Sequence, residues 1–408
     1  MYLGMKVLQI NATYGIGSTG VITKDIASIC RQNGIHSYVA FPKGFGKVDQ
    51  GVGYYEIGSW LDHKIHAVLC RIAGKQAYYS SIATMRLLRY IHALKPDIVH
   101  LHNLHSNYIN LDMLLRYLAS NKYKTVITMH DCWYFTGGCF HYTAAGCRKW
   151  QVHCEDCVKR MEDTPAYIYD ASSRIHSDRI RCFSKFRNLT LVGVSEWITC
   201  QAKVSRIRNF CNILCIHNGF DLDLFRNRVS DFRQKMGLHD KFIILGPATK
   251  WLQPINGDTL AYFSKCLPDD AVLLLFGGSN ASELLHSNVI LLGFMRNRIE
   301  MAELYSMADV MVNCSREDSL SSLNIEAQAC GTPVITYNAT GNMETVNEEC
   351  SFSVEDGNYI ALFNRMMQIY NEGKQSFSSR CRRFVGENFD KTENYRKYLN
   401  LYEEIVNG

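Results

Sequence analysis

The densest chemistry in this 408-residue chain lies between Ser315 and Pro333. Residues 310–313 read as a strand, followed by a polar loop holding Asp318. A helix is predicted to start near Ser322 and to stop at Gly331, a residue type that ends helices. The entry to such a helix leaves backbone N–H groups without partners, here those of Ser319, Leu320, Ser321, Ser322 and Leu323. Their complement is an anion. Asp318 in the loop and Glu326 in the early helix add two carboxylates able to accept hydroxyl hydrogen bonds. A nucleotide diphosphate sugar presents both complements, in its pyrophosphate and in its ribose and sugar hydroxyls. The plain alternative is an ordinary βα unit with two solvated acids.

Four further constellations stand in the first half. Gly15, Gly17 and Gly20 form GxGxxG after the first predicted strand, where glycines let backbone N–H groups approach phosphate. A dinucleotide site also needs an acid after the second strand, and Phe41-Pro42-Lys43 offers none, which counts against NAD. A tight turn is the alternative. His100, His102 and His105 recur on one strand and its exit, without a carboxylate at metal spacing, so they read as polar lining. His130 ends another buried strand, where it suits hydrogen bonding to a sugar hydroxyl, proton transfer or a structural role. Cys139, Cys147, Cys154 and Cys157 place four thiols in a segment with little core of its own. They suit a structural, tetrahedral zinc, or are simply reduced cysteines.

The elements that position these groups alternate in type. Strand-like runs fall at 6–11, 37–41, 98–102, 125–130, 189–194 and 214–217, then at 242–246, 271–276, 289–292, 310–313 and 334–337. Helical segments between them predict an α/β protein with parallel sheets. The length suggests two domains, divided as 1–221 (with a cysteine-rich insert at 132–157) and 241–380. Residues 222–240 read as a linker and 381–408 as a C-terminal helix whose apolar residues need a surface to cover. No run approaches membrane-spanning length, and the N-terminus lacks a signal pattern, so a cytoplasmic site with reduced thiols is expected. Residues 1–240 hold 30 Lys and Arg against 18 Asp and Glu, and the remainder 14 against 21. The basic front half suggests an acidic partner such as anionic lipid or a lipid-linked phosphate, or is ordinary surface bias. Residues 63–95 mix cations with apolar residues and suit either a membrane surface or an amphipathic core helix.

The Asp318-x7-Glu326 stretch resembles the carboxylate-x7-Glu motif of family-four retaining glycosyltransferases of the GT-B fold, which make bacterial surface polysaccharides. Ser18-Thr19-Gly20, residues 95–100, His130-Asp131, Asn218-Gly219-Phe220-Asp221, residues 304–309 and residues 329–334 also match. Gly137-Gly138-Cys139 with the following cysteines resembles a capsule and colanic-acid subgroup. The resemblance implies two Rossmann-like domains facing across a cleft, with the C-terminal helix returning to the N-terminal domain. It implies that Glu326 holds the ribose, that Asp318 contacts the donor sugar, and that the 319–323 amides bind pyrophosphate. Gly15, Gly17 and Gly20 would approach the donor, His130 would contact its sugar, and the base would lie near Gly293, Phe294 and Met295. It further implies retention without a required metal, a UDP- or GDP-sugar donor and a lipid-linked acceptor; the basic front half adds the expectation of a peripheral membrane location, and no nucleic acid partner is expected.

Two departures stand out. Asp318 replaces the usual Glu, and the family's Arg and Lys after the first C-domain strand fall on Trp251 and Asn256. Lys250 is the nearby cation. Loss of that pair would weaken stabilisation of the departing diphosphate, which keeps open a weak or inactive partner in a polysaccharide assembly complex.

Overall fold

A computed structural model describes residues 4–163, 165–278 and 283–408. The chain divides into two units, Met1–Asn218 with Thr392–Gly408, and Gly219–Lys391.

The first unit is built on β1 (Lys6–Ile10), β2 (His36–Pro42), β3 (Gly53–Ile57), β4 (Ile98–Leu101), β5 (Lys124–Met129), β6 (Leu189–Gly193) and β7 (Asn212–Cys215). They form one parallel sheet in the order β3-β2-β1-β4-β5-β6-β7. Central strands are buried almost throughout because helices cover both faces, and the polar residues on them, such as Gln9 and His100, are buried too. The Lys391–Asn407 helix belongs to this unit from Thr392 onward. It drives Tyr395, Tyr398, Leu399, Leu401 and Tyr402 into a core with Val7, Ile26, Ile98, Val126 and Val192. This is the covered surface that its apolar residues required.

The second unit contains β8 (Phe242–Pro247), β9 (Ala271–Phe276), β10 (Glu283–His286), β11 (Val289–Leu291), β12 (Val310–Asn313), β13 (Val334–Tyr337) and β14 (Phe352–Val354). Their order is β10-β11-β9-β8-β12-β13-β14, with only the β10–β11 pair antiparallel. Both sheets reverse strand order at an internal point, between β1 and β4 and between β8 and β12. In such sheets the carboxyl ends at that reversal form the binding crevice.

Several expectations need correction. The C-terminal helix expected at 381–408 is two helices, Gln375–Phe389 and Lys391–Asn407, broken at Asp390, whose ψ of 128° is extended. The 222–240 linker is packed structure of the second unit. Arg233 binds Met307 O at 2.9 Å, Lys241 O at 2.9 Å and Asp309 at 2.6 Å. The 63–95 segment is two helices, Trp60–Ala73 and Ser81–Leu94, and the first is mostly exposed. Strands β3, β10 and β14 were not expected. β3 and β14 lie at or beside a sheet edge, where a half-covered strand need not be continuously apolar.

Candidate functional site

In the second unit, the loop from β12 to the Ser322–Ala329 helix lies at the reversal point. Asn313 shapes it: its Nδ2 donates to Ser321 Oγ at 3.1 Å and Asn324 Oδ1 at 2.8 Å. Asn342 Nδ2 ties down Ser315 O at 2.8 Å. Gly341 N–H donates to Asp318 O at 2.9 Å, and a Cβ at Gly341 would lie 1.9 Å from Ser319 O, so only glycine permits this approach. The N–H groups of Ser319, Leu320, Ser321, Ser322 and Leu323 donate to no acceptor among the described residues. Ser319 Oγ is buried and has no partner among the described residues. The result is a rigid row of donors at a helix head, suited to an anion. Asp318 is held by its backbone, with Thr340 Oγ1 accepting its N–H at 3.0 Å.

Glu326 is mostly buried beside these donors along the helix. Its Oε2 accepts from Tyr305 OH at 3.3 Å, and Arg298 Nη2 lies 3.9 Å from Oε1. Burial pushes the Glu326 carboxyl up to about 7, against the lowering by Arg298 and Tyr305. It therefore stands near half ionisation at neutral pH, and a hydroxyl donor would favour its charged form. Arg298 and Tyr305 were not anticipated. Asn297 was the available signal for Arg298, because it caps the helix by accepting from Ile299 and Glu300 N–H, both at 2.9 Å.

Trp251 and Asn256 are unavailable to a ligand. Trp251 is fully buried, donates Nε1–H to Val312 O at 2.9 Å and meets Phe263 edge-on at 5.0 Å. Asn256 Nδ2 donates to Lys250 O and Cys314 O, both at 3.0 Å. Both positions brace β8 and β12. The partly exposed Lys250 has no ion pair among the described residues. Gly293, Phe294 and Met295 follow β11, with Phe294 67% exposed.

In the first unit, His130 follows β5 and joins a buried hydrogen-bonded chain. Gln9 Nε2 donates to Thr23 O at 3.2 Å, so its Oε1 faces His102 Nε2 at 3.0 Å as an acceptor. His102 is thus protonated at Nε2. Burial, with His100 and His130 adding, holds its pKa well below 6.5, so Nδ1 keeps its lone pair. That lone pair accepts from His130 Nε2 at 3.2 Å. Burial also lowers His130 to about 4, Asp131 opposing, so His130 is neutral at neutral pH. Its Nδ1 has no partner among the described residues and is the acceptor left for a ligand hydroxyl.

His100 is structural. It bonds Tyr402 OH at 2.6 Å and Thr128 Oγ1 at 2.7 Å, and burial lowers it to about 3. His105 Nε2 lies 3.1 Å from Asp131 Oδ2. Burial raises the Asp131 carboxyl, but His105 and the Trp133 N–H outweigh it and leave its pKa lowered.

Gly15 and Gly17 adopt left-handed backbone, φ 69° and 65°, before the Gly17–Gln32 helix. A Cβ at Gly20 would lie 2.7 Å from Thr13 Oγ1. These glycines make the turn that the plain alternative describes. Cys139, Cys147, Cys154 and Cys157 line one cavity of about 240 Å3. Gly137 N–H bonds the Cys154 thiol and Lys159 N–H the Cys157 thiol. No group of three or more His, Cys, Asp or Glu among the described residues stands in metal-holding geometry. The thiols are gathered but not closed into a ligand set. A larger cavity of about 720 Å3, lined by Lys124, Arg187, Asn209 and Glu404, lies at the opposite, amino ends of β5–β7, away from the reversal point.

Two Rossmann-like units, each with functional groups at its reversal point, define a GT-B glycosyltransferase. The chain belongs to Glycosyltransferase Family 4, which matches residues 19–224, while residues 269–384 match Glycosyl transferases group 1. It is 22% identical to the putative colanic acid biosynthesis glycosyl transferase WcaC of Escherichia coli K12, over 98% of this chain and all of that protein. Over 29% of each chain it is 31% identical to the capsular polysaccharide biosynthesis glycosyltransferase CapM of Staphylococcus aureus. Its fold resembles that of Anabaena Alr3699/HepE in complex with UDP-glucose, with a TM-score of 0.64 at 16% identity, covering 98% of this chain and 100% of that one.

Proposed function

We propose that this glycosyltransferase moves a sugar from a nucleoside diphosphate sugar to a surface-polysaccharide acceptor carried on lipid, in the cytoplasm, with retention at the anomeric carbon. The observation that carries this reading is the row of N–H groups at Ser319 to Leu323, unpartnered among the described residues, beside the mostly buried Glu326. The amides take the pyrophosphate, Glu326 a ribose hydroxyl, and Asp318 and His130 sugar hydroxyls. Gly15, Gly17 and Gly20 pass close to the donor, and Gly293, Phe294 and Met295 border the base. In the transfer, the bond from the anomeric carbon to phosphate oxygen breaks and one to the acceptor oxygen forms on the same face. The acceptor proton passes to the leaving phosphate, so no enzyme nucleophile and no metal are required. Lys250 and the amides stabilise the departing charge. HepE with UDP-glucose and the polysaccharide relatives support the donor and acceptor classes.

Calorimetric titration with UDP and with GDP, each with and without magnesium, tests the donor site. Micromolar binding of one nucleotide without metal is expected, and binding of neither would sink the reading. A second reading, a catalytically weak partner in an assembly complex, is favoured by the burial of Trp251 and Asn256 at the positions where the family resemblance implies cations. Donor hydrolysis distinguishes them, since a scaffold releases no nucleoside diphosphate. The proposal also includes a structural zinc on Cys139, Cys147, Cys154 and Cys157, supported by their shared cavity. Binding would have to draw the sulfurs together and displace protons. Elemental analysis of freshly purified protein should then show about one zinc per chain; well under half an equivalent rejects the site.

A further inference from the structure

The Trp60–Ala73 helix turns its apolar side outward. Of its residues only His66 and Cys70 are buried. Trp60, Leu61, Ile65, Val68, Leu69 and Ile72 are 69, 60, 51, 54, 39 and 43% exposed. Leu61, Ile65, Val68 and Ile72 follow the spacing of one helical face. Neighbouring segments extend the patch. The Ser81–Leu94 helix exposes Ile82 and Met85. Tyr167, Ile168 and Tyr169 are 60, 59 and 63% exposed, and Tyr167 N–H donates to Arg71 O at 2.8 Å, which fixes them beside the helix end. Single exposed apolar residues are ordinary, but a cluster of this extent marks an interaction surface.

The charges at this surface identify its partner. Lys64, Arg71, Arg86 and Arg89 are exposed on the two helices, and none has a carboxylate partner among the described residues. Asp62 is the sole acid of the two helices. It is occupied in a capping box, accepting from Ser59 N–H at 2.8 Å and Ser59 O–H at 2.6 Å. Lys64 Nζ lies 5.5 Å from the Trp60 ring, so an amphipathic aromatic and a cation share one edge. No helix among the described residues is long and apolar enough to cross a membrane. An apolar stripe bordered by unpaired cations is the pattern of a helix that lies in the headgroup layer. We infer that the Trp60–Ala73 helix and the adjoining Ile82, Met85 and 167–169 positions dock this unit onto an anionic lipid surface. The inference does not depend on the transferase reading.

The test is co-sedimentation of the full chain with phosphatidylglycerol-containing vesicles and with pure phosphatidylcholine vesicles, at low and high salt. Trp60 is 69% exposed, whereas Trp133, Trp150 and Trp251 are buried and Trp197 is half-buried, so a blue shift of emission on vesicle addition that is lost in Trp60→Phe should follow it. Binding to the anionic vesicles is expected, weakened by salt and by neutral lipid. The paired changes Leu61→Glu with Val68→Glu, and separately Lys64→Glu with Arg71→Glu, should each lower partitioning on the order of tenfold or more. These are exposed positions, so thermal stability and UDP or GDP binding should be unchanged. Three results overturn the inference: no sedimentation with anionic vesicles, equal binding to neutral ones, or indifference to both variants. So does self-association of the wild type that Leu61→Glu with Val68→Glu abolishes, because a second copy would then cover the face.

Discussion

The carboxyl ends of the two sheets use opposite chemistry. The first unit surrounds His130 with buried bases kept neutral, whereas the second buries an acid, Glu326, whose proton is held to about pH 7. One physical cause, burial disfavouring charge, acts on both. Its consequences for pH run in opposite directions. The histidines of the first unit refuse protons that the unfolded chain takes up below about 6.5, so that unit loses stability as pH falls through about 4. Glu326 is protonated in both states below 4.5, and only the unfolded chain ionises it between 4.5 and about 7. The second unit is therefore stabilised at low pH and loses that increment as pH rises through 7. Ligand binding reverses the meaning of this loss, because a ribose hydroxyl prefers the carboxylate.

The largest effect that would sharpen this contrast comes from Trp251. Restoring a cation by Trp251→Arg should destabilise the second unit by about 3–5 kcal/mol, through a buried charge and lost packing. Urea denaturation reads it. Full stability together with raised turnover would show that Trp251 is a misplaced phosphate clamp and not a brace.

Glu326→Ala should weaken UDP or GDP binding by roughly tenfold to a hundredfold, the range for a hydrogen bond to a charged group. In the wild type, affinity should rise between pH 6 and 8, and Glu326→Gln should flatten that rise. A pH-independent wild type would detach Glu326 from the nucleotide.

The acid limb is next in size. Each histidine kept neutral contributes up to about 1.4 kcal/mol per pH unit below its unfolded pKa. The urea midpoint of the first unit should thus fall steadily between pH 6.5 and 4. Histidine resonances that titrate normally near 6.5 in the folded protein would contradict the buried chain.

Smallest is Gln9→Leu, which removes the acceptor that orients His102. Imidazole nitrogen resonances should show His130 leaving its single Nε2–H form, with donor-sugar recognition reduced by about threefold to tenfold. An unchanged tautomer would mean that Gln9 plays no positioning role.

Much of this was legible in the sequence because backbone regularity carries it. The strand-like, mainly apolar runs at 271–276, 310–313 and 334–337 coincide with β9, β12 and β13. Gly331, with φ 80°, stops the Ser322–Ala329 helix where a glycine was expected to. The break at Asp390 was hidden because the residues on both sides have helical periodicity. That Trp60–Ala73 faces outward was hidden as well, because an apolar stripe has the same spacing whichever way it points.

By itself the sequence determined the alternation of strands and helices, the family, and the local chemistry of the Ser315 to Pro333 stretch, since these depend on near neighbours along the chain. Tertiary structure alone decided which groups meet. Tyr305 and Arg298 come to Glu326 from another helix, and Gln9 reaches His102 from β1. Protonation states followed from the same meetings. A side chain's pKa depends on burial and on charges brought from distant positions, and no spacing along the chain encodes those.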